Sequence, residues 1–214
     1  MLHNPGPTPC ARRSGILRVV VTPRPLAILA VTVLALAFAA CGASGGGEVD
    51  DAARPSPTAD RNAAARLAKA PAPLRANAAD ANTLAGEGED GLEVRLAKLK
   101  GHPVVVNQWA SWCGPCRAEF PFFADAVAEH GDEVAFLGID FTDDRDAANA
   151  FLDEVPPGFA SIYDPKGEAA RSLGGGRIAP TTFFIGRDGK RVYTKLGGYA
   201  DAAALEADIR RHAL

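Results

Sequence analysis

The chain has 214 residues, 47% of them hydrophobic, which is enough for one domain with a tail or for two small domains. The formal charge is −3 and no basic cluster is present, so a nucleic-acid-binding function is excluded. Four of the 23 basic residues and none of the 26 acidic residues fall in residues 1–41. Residues 42–214 therefore carry 19 basic and 26 acidic residues, a formal charge of −7.

Residues 1–41 have the pattern of an export signal. A basic, proline-rich stretch precedes the uncharged run Leu26 to Ala40, which is shorter than the roughly 20 residues of a membrane-spanning helix. The run ends at Phe38-Ala39-Ala40-Cys41, which resembles a bacterial lipobox, where the cysteine becomes lipidated and N-terminal. We expect a cleaved leader, a lipid anchor at Cys41 and a location on the extracytoplasmic face of the membrane. The alternatives are an uncleaved anchor helix, or a secreted or periplasmic protein.

Residues 42–78 are rich in Ala, Gly and Pro and predict a flexible tether, so that the folded domain spans residues 79–214. At the start of this domain, short apolar runs predict strands at 81–84 and 92–94 around a turn at 86–91. A helical turn at 96–100 follows in this interpretation.

The centre of the domain is a Cys-x-x-Cys pair, Cys113-Gly114-Pro115-Cys116, between a predicted buried strand at 103–109 and an amphipathic helix. The free N–H groups and the positive end of a helix stabilise a thiolate on the first cysteine and make it nucleophilic. The second cysteine is within disulfide reach, so Cys116 can resolve a mixed disulfide formed by Cys113. This arrangement predicts thiol–disulfide exchange.

The remaining elements are expected in alternating order. We predict strands at 133–139, 160–163, 182–185 and 191–196, and helices at 143–154, 168–173 and 201–212. Such an order predicts an α/β domain with a mixed sheet and helices on both faces.

Residues 79–214 resemble the thioredoxin fold and, more narrowly, the extracytoplasmic TlpA/ResA-like group linked to cytochrome c maturation. The resemblance is carried by two motifs, Val106 to Pro121 around the cysteine pair and Ala179 to Ile185. It implies a thioredoxin-like mixed central sheet with helices on both faces. It also implies that the extra strand and helix at 133–154 are the β-α insertion typical of that group.

The resemblance also implies roles for single residues. Pro180 occupies the place of the cis proline beside the disulfide, where the backbone of Ala179 pairs with the substrate chain. Glu119 matches an acid thought to move protons, and Trp112 is expected beside the sulfur atoms. Asn107 stands where thioredoxins carry a buried aspartate, which makes Glu119 the better proton acceptor. The simpler alternative for Glu119 is an acid favoured by the helix dipole.

These features predict a membrane-tethered reductase of protein disulfides, with apocytochrome c thiols as candidate substrates and a membrane electron donor as partner. No cofactor or metal is expected, since a zinc site needs a second pair of ligands and the four histidines are scattered. The same chemistry in reverse, disulfide formation in secreted proteins, is the nearest alternative. A copper chaperone would need a wider cysteine spacing, and a purely structural disulfide would resist mild reductants. A peroxiredoxin would need threonine at Ala110.

Overall fold

The computed structural model describes residues 63–214, so the leader predicted at 1–41 lies outside the described residues. Within that range no helix is both long enough and apolar enough to cross a membrane.

A helical segment at 63–67 precedes twelve elements. The strands are β1 Leu84–Glu87, β2 Val104–Trp109, β3 Ala135–Phe141, β4 Ala160–Asp164, β5 Thr181–Ile185 and β6 Arg191–Leu196. The helices are α1 Ala72–Ala78, α2 Gly88–Lys98, α3 Gly114–His130, α4 Arg145–Glu154, α5 Glu168–Ser172 and α6 Ala202–His212.

The six strands form one mixed sheet in the order β1-β4-β3-β2-β5-β6. Strands β1, β4, β3 and β2 are parallel, and β5 and β6 continue the sheet antiparallel. This is a thioredoxin-like α/β arrangement, which confirms the predicted fold class. The strand and helix expected at 133–154 are present as β3 and α4.

Side chains from β2 enter two separate hydrophobic cores. Val105 and Trp109 pack in the core between the sheet and helices α3, α4 and α6, whereas Val104 and Val106 pack on the side of α1, α2 and α5. Successive side chains of a strand point to opposite faces, so a central strand covered on both faces is largely apolar along its length. The sheet therefore has helices on both faces, as predicted.

The segment before β2 differs from the prediction. The strand expected at 92–94 is wrong, because residues 88–98 form helix α2. Leu92 and Leu99 are buried seven residues apart, a helical spacing, and Glu89 and Asp90 stabilise the N-terminal turn through the helix dipole. The predicted turn instead contains the end of β1 and the start of α2.

Regular structure is also present before residue 79 in the part of the chain that the structure describes. Helix α1 occupies the end of the expected tether, with Leu74 buried and the Asn77 Nδ2 donating to the carbonyl of Phe136 at 3.0 Å. Pro71 and Pro73 do not prevent this helix, because they lie at its N-terminus, where a missing N–H breaks no intrahelical hydrogen bond. The folded part of the chain therefore includes α1.

Candidate active site

The cysteine pair lies at the corner between β2 and α3. Cys113 and Cys116 form a disulfide with 5.3 Å between their Cα atoms. Cys113 is the N-cap residue of α3, and its sulfur accepts a hydrogen bond from the Cys116 N–H at 3.2 Å. Cys113 is 4% exposed and Cys116 is fully buried. Cys113 is thus the sulfur that an incoming group reaches first, and the helix N-terminus stabilises negative charge on it.

Glu119 lies one turn further along α3, on the helix face of Cys116. It is fully buried, although carboxylates are rarely buried without partners. One oxygen accepts from Asn107 Nδ2 at 2.8 Å and the other from the backbone N–H of Tyr199 at 2.9 Å. Among the described residues, no hydrogen bond joins Glu119 to Cys116 in this oxidised state.

Burial raises the pKa of Glu119 from 4.5 to about 7, because the charged form loses its hydration. The hydrogen bonds from the Tyr199 N–H and Asn107, and the charge of Lys195, lower the pKa but do not offset the burial. A carboxyl group with such a pKa exchanges protons readily near neutral pH.

Pro180 lies in the loop before β5, and the Ala179–Pro180 peptide bond is cis, as the resemblance implied. Ala179 packs against the hydrophobic core that contains both cysteines. Three of these residues lie close to Gly198. A Cβ atom placed on this glycine would be 3.5 Å from Pro180 Cγ, 3.5 Å from a Glu119 oxygen and 3.7 Å from Pro115 Cβ. The structure thus brings the cis proline, the acid and the Cys-x-x-Cys spacer together.

Trp112 precedes the first cysteine and is 60% exposed. Its indole N–H donates to the carbonyl of Thr142 at 3.4 Å, so the ring lies along the loop after β3. The indole buried beneath the site belongs to Trp109, whose ring lies 5.3 Å from that of Phe120 on α3. Trp112 therefore presents a large exposed apolar surface at the residue before Cys113.

Three polar residues near the cysteine corner were missed by the sequence analysis. Asp143 accepts hydrogen bonds from the backbone N–H and the hydroxyl of Ser111, two residues before Cys113. Asp140 is fully buried beside it, and its carboxyl oxygens have no hydrogen-bond partner in the described structure. Burial, together with the neighbouring Asp143, raises the pKa of Asp140 to about 9.

The third is Gln108, whose side chain is fully buried on the other face of β2. Its partners lie about seventy residues away in the loop before Pro180, at Gly176 and Ile178. No local sequence pattern indicates such a contact.

Three residues whose side chains could bind a metal ion lie together at the far end of α3. Within residues 63–214, ligand atoms of Glu129, His130 and Glu206 come within 4.8 Å of one another. His130 Nε2 already pairs with Glu206 at 2.8 Å, which accounts for this arrangement as a hydrogen-bonded pair. It is about 20 Å from the disulfide along the 17-residue helix. This group is therefore separate from the cysteine site.

The mixed sheet, the disulfide at the N-terminus of α3 and the cis proline define a thioredoxin-like dithiol–disulfide protein. Comparison with known families agrees, since the model of the family named Redoxin matches residues 71–209. The chain belongs to the redoxin family.

Curated relatives of this chain are named as proteins of thiol–disulfide exchange. The chain is similar to the thiol-disulfide oxidoreductase ResA of Oceanobacillus iheyensis, with 36% identity over 107 residues, 49% of this chain and 54% of that protein. It is similar to the thiol:disulfide interchange protein CycY of Rhizobium leguminosarum, with 33% identity over 132 residues, 61% of this chain and 69% of that protein. The chain thus spans about half the length of the ResA relative.

A crystal structure assigned as a thiol:disulfide interchange protein DsbE from Chlorobium tepidum superposes with a TM-score of 0.51. The two are 34% identical, and the match covers 56% of this chain and 85% of that one.

Proposed function

We propose that this protein is an extracytoplasmic thiol–disulfide oxidoreductase that reduces disulfides in other proteins. The observation that carries the proposal is the Cys113–Cys116 disulfide at the N-terminus of α3, with the more accessible sulfur at the N-cap. The names of the ResA and CycY relatives describe the same exchange chemistry in those proteins.

The reaction is a two-electron exchange. In the reduced protein, the Cys113 thiolate attacks one sulfur of a substrate disulfide, and the other substrate sulfur leaves as a thiolate. The Cys116 thiol loses its proton and attacks the Cys113 sulfur of the mixed disulfide. The second substrate sulfur leaves as a thiolate, and the protein ends with the Cys113–Cys116 disulfide. Both substrate thiolates then take up protons.

Glu119 is the acceptor we assign to the proton of Cys116. It lies on the same helix face, and its pKa of about 7 lets the carboxylate take that proton near neutral pH. Asn107 and the Tyr199 N–H hold its oxygens in place. A carboxylate at the surface, with a pKa of about 4, would be a weaker base.

Pro180, Ala179 and Trp112 form the surface that a substrate meets. Ala179 offers backbone groups for pairing with an extended chain, in the manner of an added strand. Trp112, the residue before Cys113, supplies exposed aromatic area. These residues are assigned to substrate positioning rather than to proton transfer.

We place the protein at the extracytoplasmic face of the membrane, held by a lipid on Cys41. The tether predicted from the sequence would let the domain reach a membrane electron donor and protein substrates, with oxidised apocytochrome c as the candidate substrate. This part of the proposal is supported by the sequence of residues 1–62, which lie outside the described structure.

Trapping of mixed disulfides tests the exchange chemistry. The variant Cys116→Ser should accumulate a mixed disulfide with a substrate through Cys113, since the resolving thiol is absent. The matched variant Cys113→Ser should trap far less, because Cys116 is fully buried. Equal trapping by the two variants, or none by either, would reject the proposed roles.

The direction of electron flow is tested by the reduction potential, measured in glutathione or dithiothreitol buffers. Proteins of this kind span reduction potentials of about −120 to −270 mV, with thioredoxin at the reducing end. A value near that of thioredoxin supports reduction of substrates. A value well above that of glutathione would make the protein a disulfide-forming enzyme.

A further inference from the structure

A groove lies along the loop that leads into Ala179 and Pro180. It has a volume of about 580 Å³, and the three glycines 174–176 form one wall. Arg171 and Arg177 supply its charge, and Ile178 and Leu196 supply exposed apolar surface. We call this feature the glycine-loop groove.

The charge of the glycine-loop groove is opposite to that of the chain around it. Residues 42–214 have a formal charge of −7, yet no carboxylate lines the groove in the described structure. Arg171 and Arg177 are both exposed, and neither guanidinium makes a hydrogen bond or an ion pair with another residue in 63–214. Two cations without partners favour an anionic occupant, and the planar guanidinium group suits a carboxylate in particular.

The position of the groove makes a substrate chain its natural occupant. Arg177 and Ile178 directly precede Ala179, whose backbone we assign to pairing with the substrate. An extended chain advances about 3.3 Å per residue, so a segment paired at Ala179 reaches Arg177 within a few residues. The apolar surface of Ile178 and Leu196 would then lie beneath the chain.

The groove is also preformed. Gln108 is fully buried, and its Oε1 accepts from the Gly176 N–H at 2.9 Å while its Nε2 donates to the Ile178 carbonyl at 3.0 Å. The Thr181 hydroxyl donates to the same carbonyl at 2.7 Å. A Cβ on Gly175 would lie only 2.4 Å from Gln108 Oε1, so the loop packs directly on this side chain. A loop held in its binding conformation loses little entropy when a ligand binds.

We propose that the glycine-loop groove binds an acidic segment of the substrate protein, with a carboxylate a few residues from the target cysteine held by Arg171 and Arg177. This inference rests on the proposed function, because the acidic segment reaches the groove when a nearby disulfide of the same substrate reacts with Cys113. Gln108 acts as a positioning residue for the loop.

The test uses disulfide-linked peptides that differ only beside the cysteine, where they carry two Asp, two Asn or two Lys residues. We expect the reduced protein to react with the Asp peptide about tenfold faster than with the Asn peptide at low salt, and most slowly with the Lys peptide. High salt should shrink these differences. The double variant Arg171→Glu/Arg177→Glu should invert the order, and Arg171→Gln/Arg177→Gln should abolish the preference without adding charge.

A matched control makes the same change in net charge elsewhere. The variant Lys100→Glu/Arg211→Glu replaces two exposed cations outside the groove and should keep the preference for Asp. A small neutral disulfide, bis(2-hydroxyethyl) disulfide, reports the proposed function alone and should react equally with all variants. Failure of that reaction in the wild type would reject the proposed function. If the wild type reacts normally with the small disulfide but reacts at equal rates with the Asp and Asn peptides, only the proposal that the groove binds an acidic segment is overturned.

Discussion

Replacing Glu119 with glutamine should make the protein more stable and less active above pH 7. The pKa of Glu119 is about 7 in the folded chain against an ordinary 4.5, because burial disfavours the charged form. The folded state thus holds this proton more tightly than the unfolded state does. The stability linked to it is present below about pH 4.5 and is lost as the pH rises through 7. At pH 8 the loss amounts to about 3 kcal/mol of unfolding free energy.

A glutamine can occupy this position without leaving a buried clash. Its carbonyl oxygen can accept from the Tyr199 N–H, and its amide group then faces the side chain of Asn107. Asn107 Oδ1 has no hydrogen-bond partner in the described structure. A flip of the Asn107 amide would therefore place an acceptor opposite the new donor. The substitution removes a charge and keeps the volume.

The assay is urea unfolding of the oxidised protein at pH 5 and pH 8. The gain in unfolding free energy of Glu119→Gln over the wild type should be about 2–3 kcal/mol larger at pH 8 than at pH 5. Asp125→Asn, an exposed change on the same helix, should leave the pH dependence unchanged. Disulfide exchange by Glu119→Gln should meanwhile be slower and lose its rise through pH 7. The same pH dependence of stability in Glu119→Gln and the wild type would refute the assigned pKa.

Three further substitutions follow from the same structure, each checked by urea unfolding. Asp140→Asn should stabilise the protein by about 5–6 kcal/mol at pH 8 and by less than about 1 kcal/mol at pH 4, because the pKa of Asp140 is raised from 3.8 to about 9 and the linked stability is lost as the pH rises toward that value. Gly175→Ala should destabilise it by about 1–3 kcal/mol, since the new methyl group would meet Gln108 and a buried ring. Leu74→Ala should destabilise it by about 3 kcal/mol, whereas a flexible tether ending after this residue would tolerate the change.

The centre of the fold could be predicted because its signals are local. Three such signals are the apolar run of β2, the cysteine at the N-cap of α3, and Asp201, whose side chain caps α6 by accepting from the Ala204 N–H. Each specifies an element through residues within a few positions. Helix α2 could not be predicted in this way, because Gly88 and Gly91 resemble turn residues. The helix is stabilised by the burial of Leu92 against the sheet, which the local sequence does not show.

The same distinction applies to the candidate site. Glu119 was indicated by the resemblance to the TlpA/ResA-like group, and its spacing of three residues from Cys116 places it on the same helix face. Gln108 and Asp140 were not identified from the sequence, since a polar residue in an apolar strand is equally compatible with a solvent-facing position. The buried position of Gln108 depends on partners such as Gly176, 68 residues further along the chain. Only the assembled sheet brings these groups together.

Strand β2 connects the two halves of the proposed activity. Its neighbouring residues Asn107 and Gln108 point to opposite faces of the sheet, so Asn107 holds Glu119, the proposed proton acceptor, and Gln108 holds the loop of the glycine-loop groove. A register slip by one residue would exchange these faces and lose both contacts. The register is fixed from both sides, since Val104 pairs with Ala135 on β3 and with Ile185 on β5. In this proposal, proton transfer and substrate binding therefore depend on the same strand pairing, although the two sets of residues lie on opposite faces of the sheet.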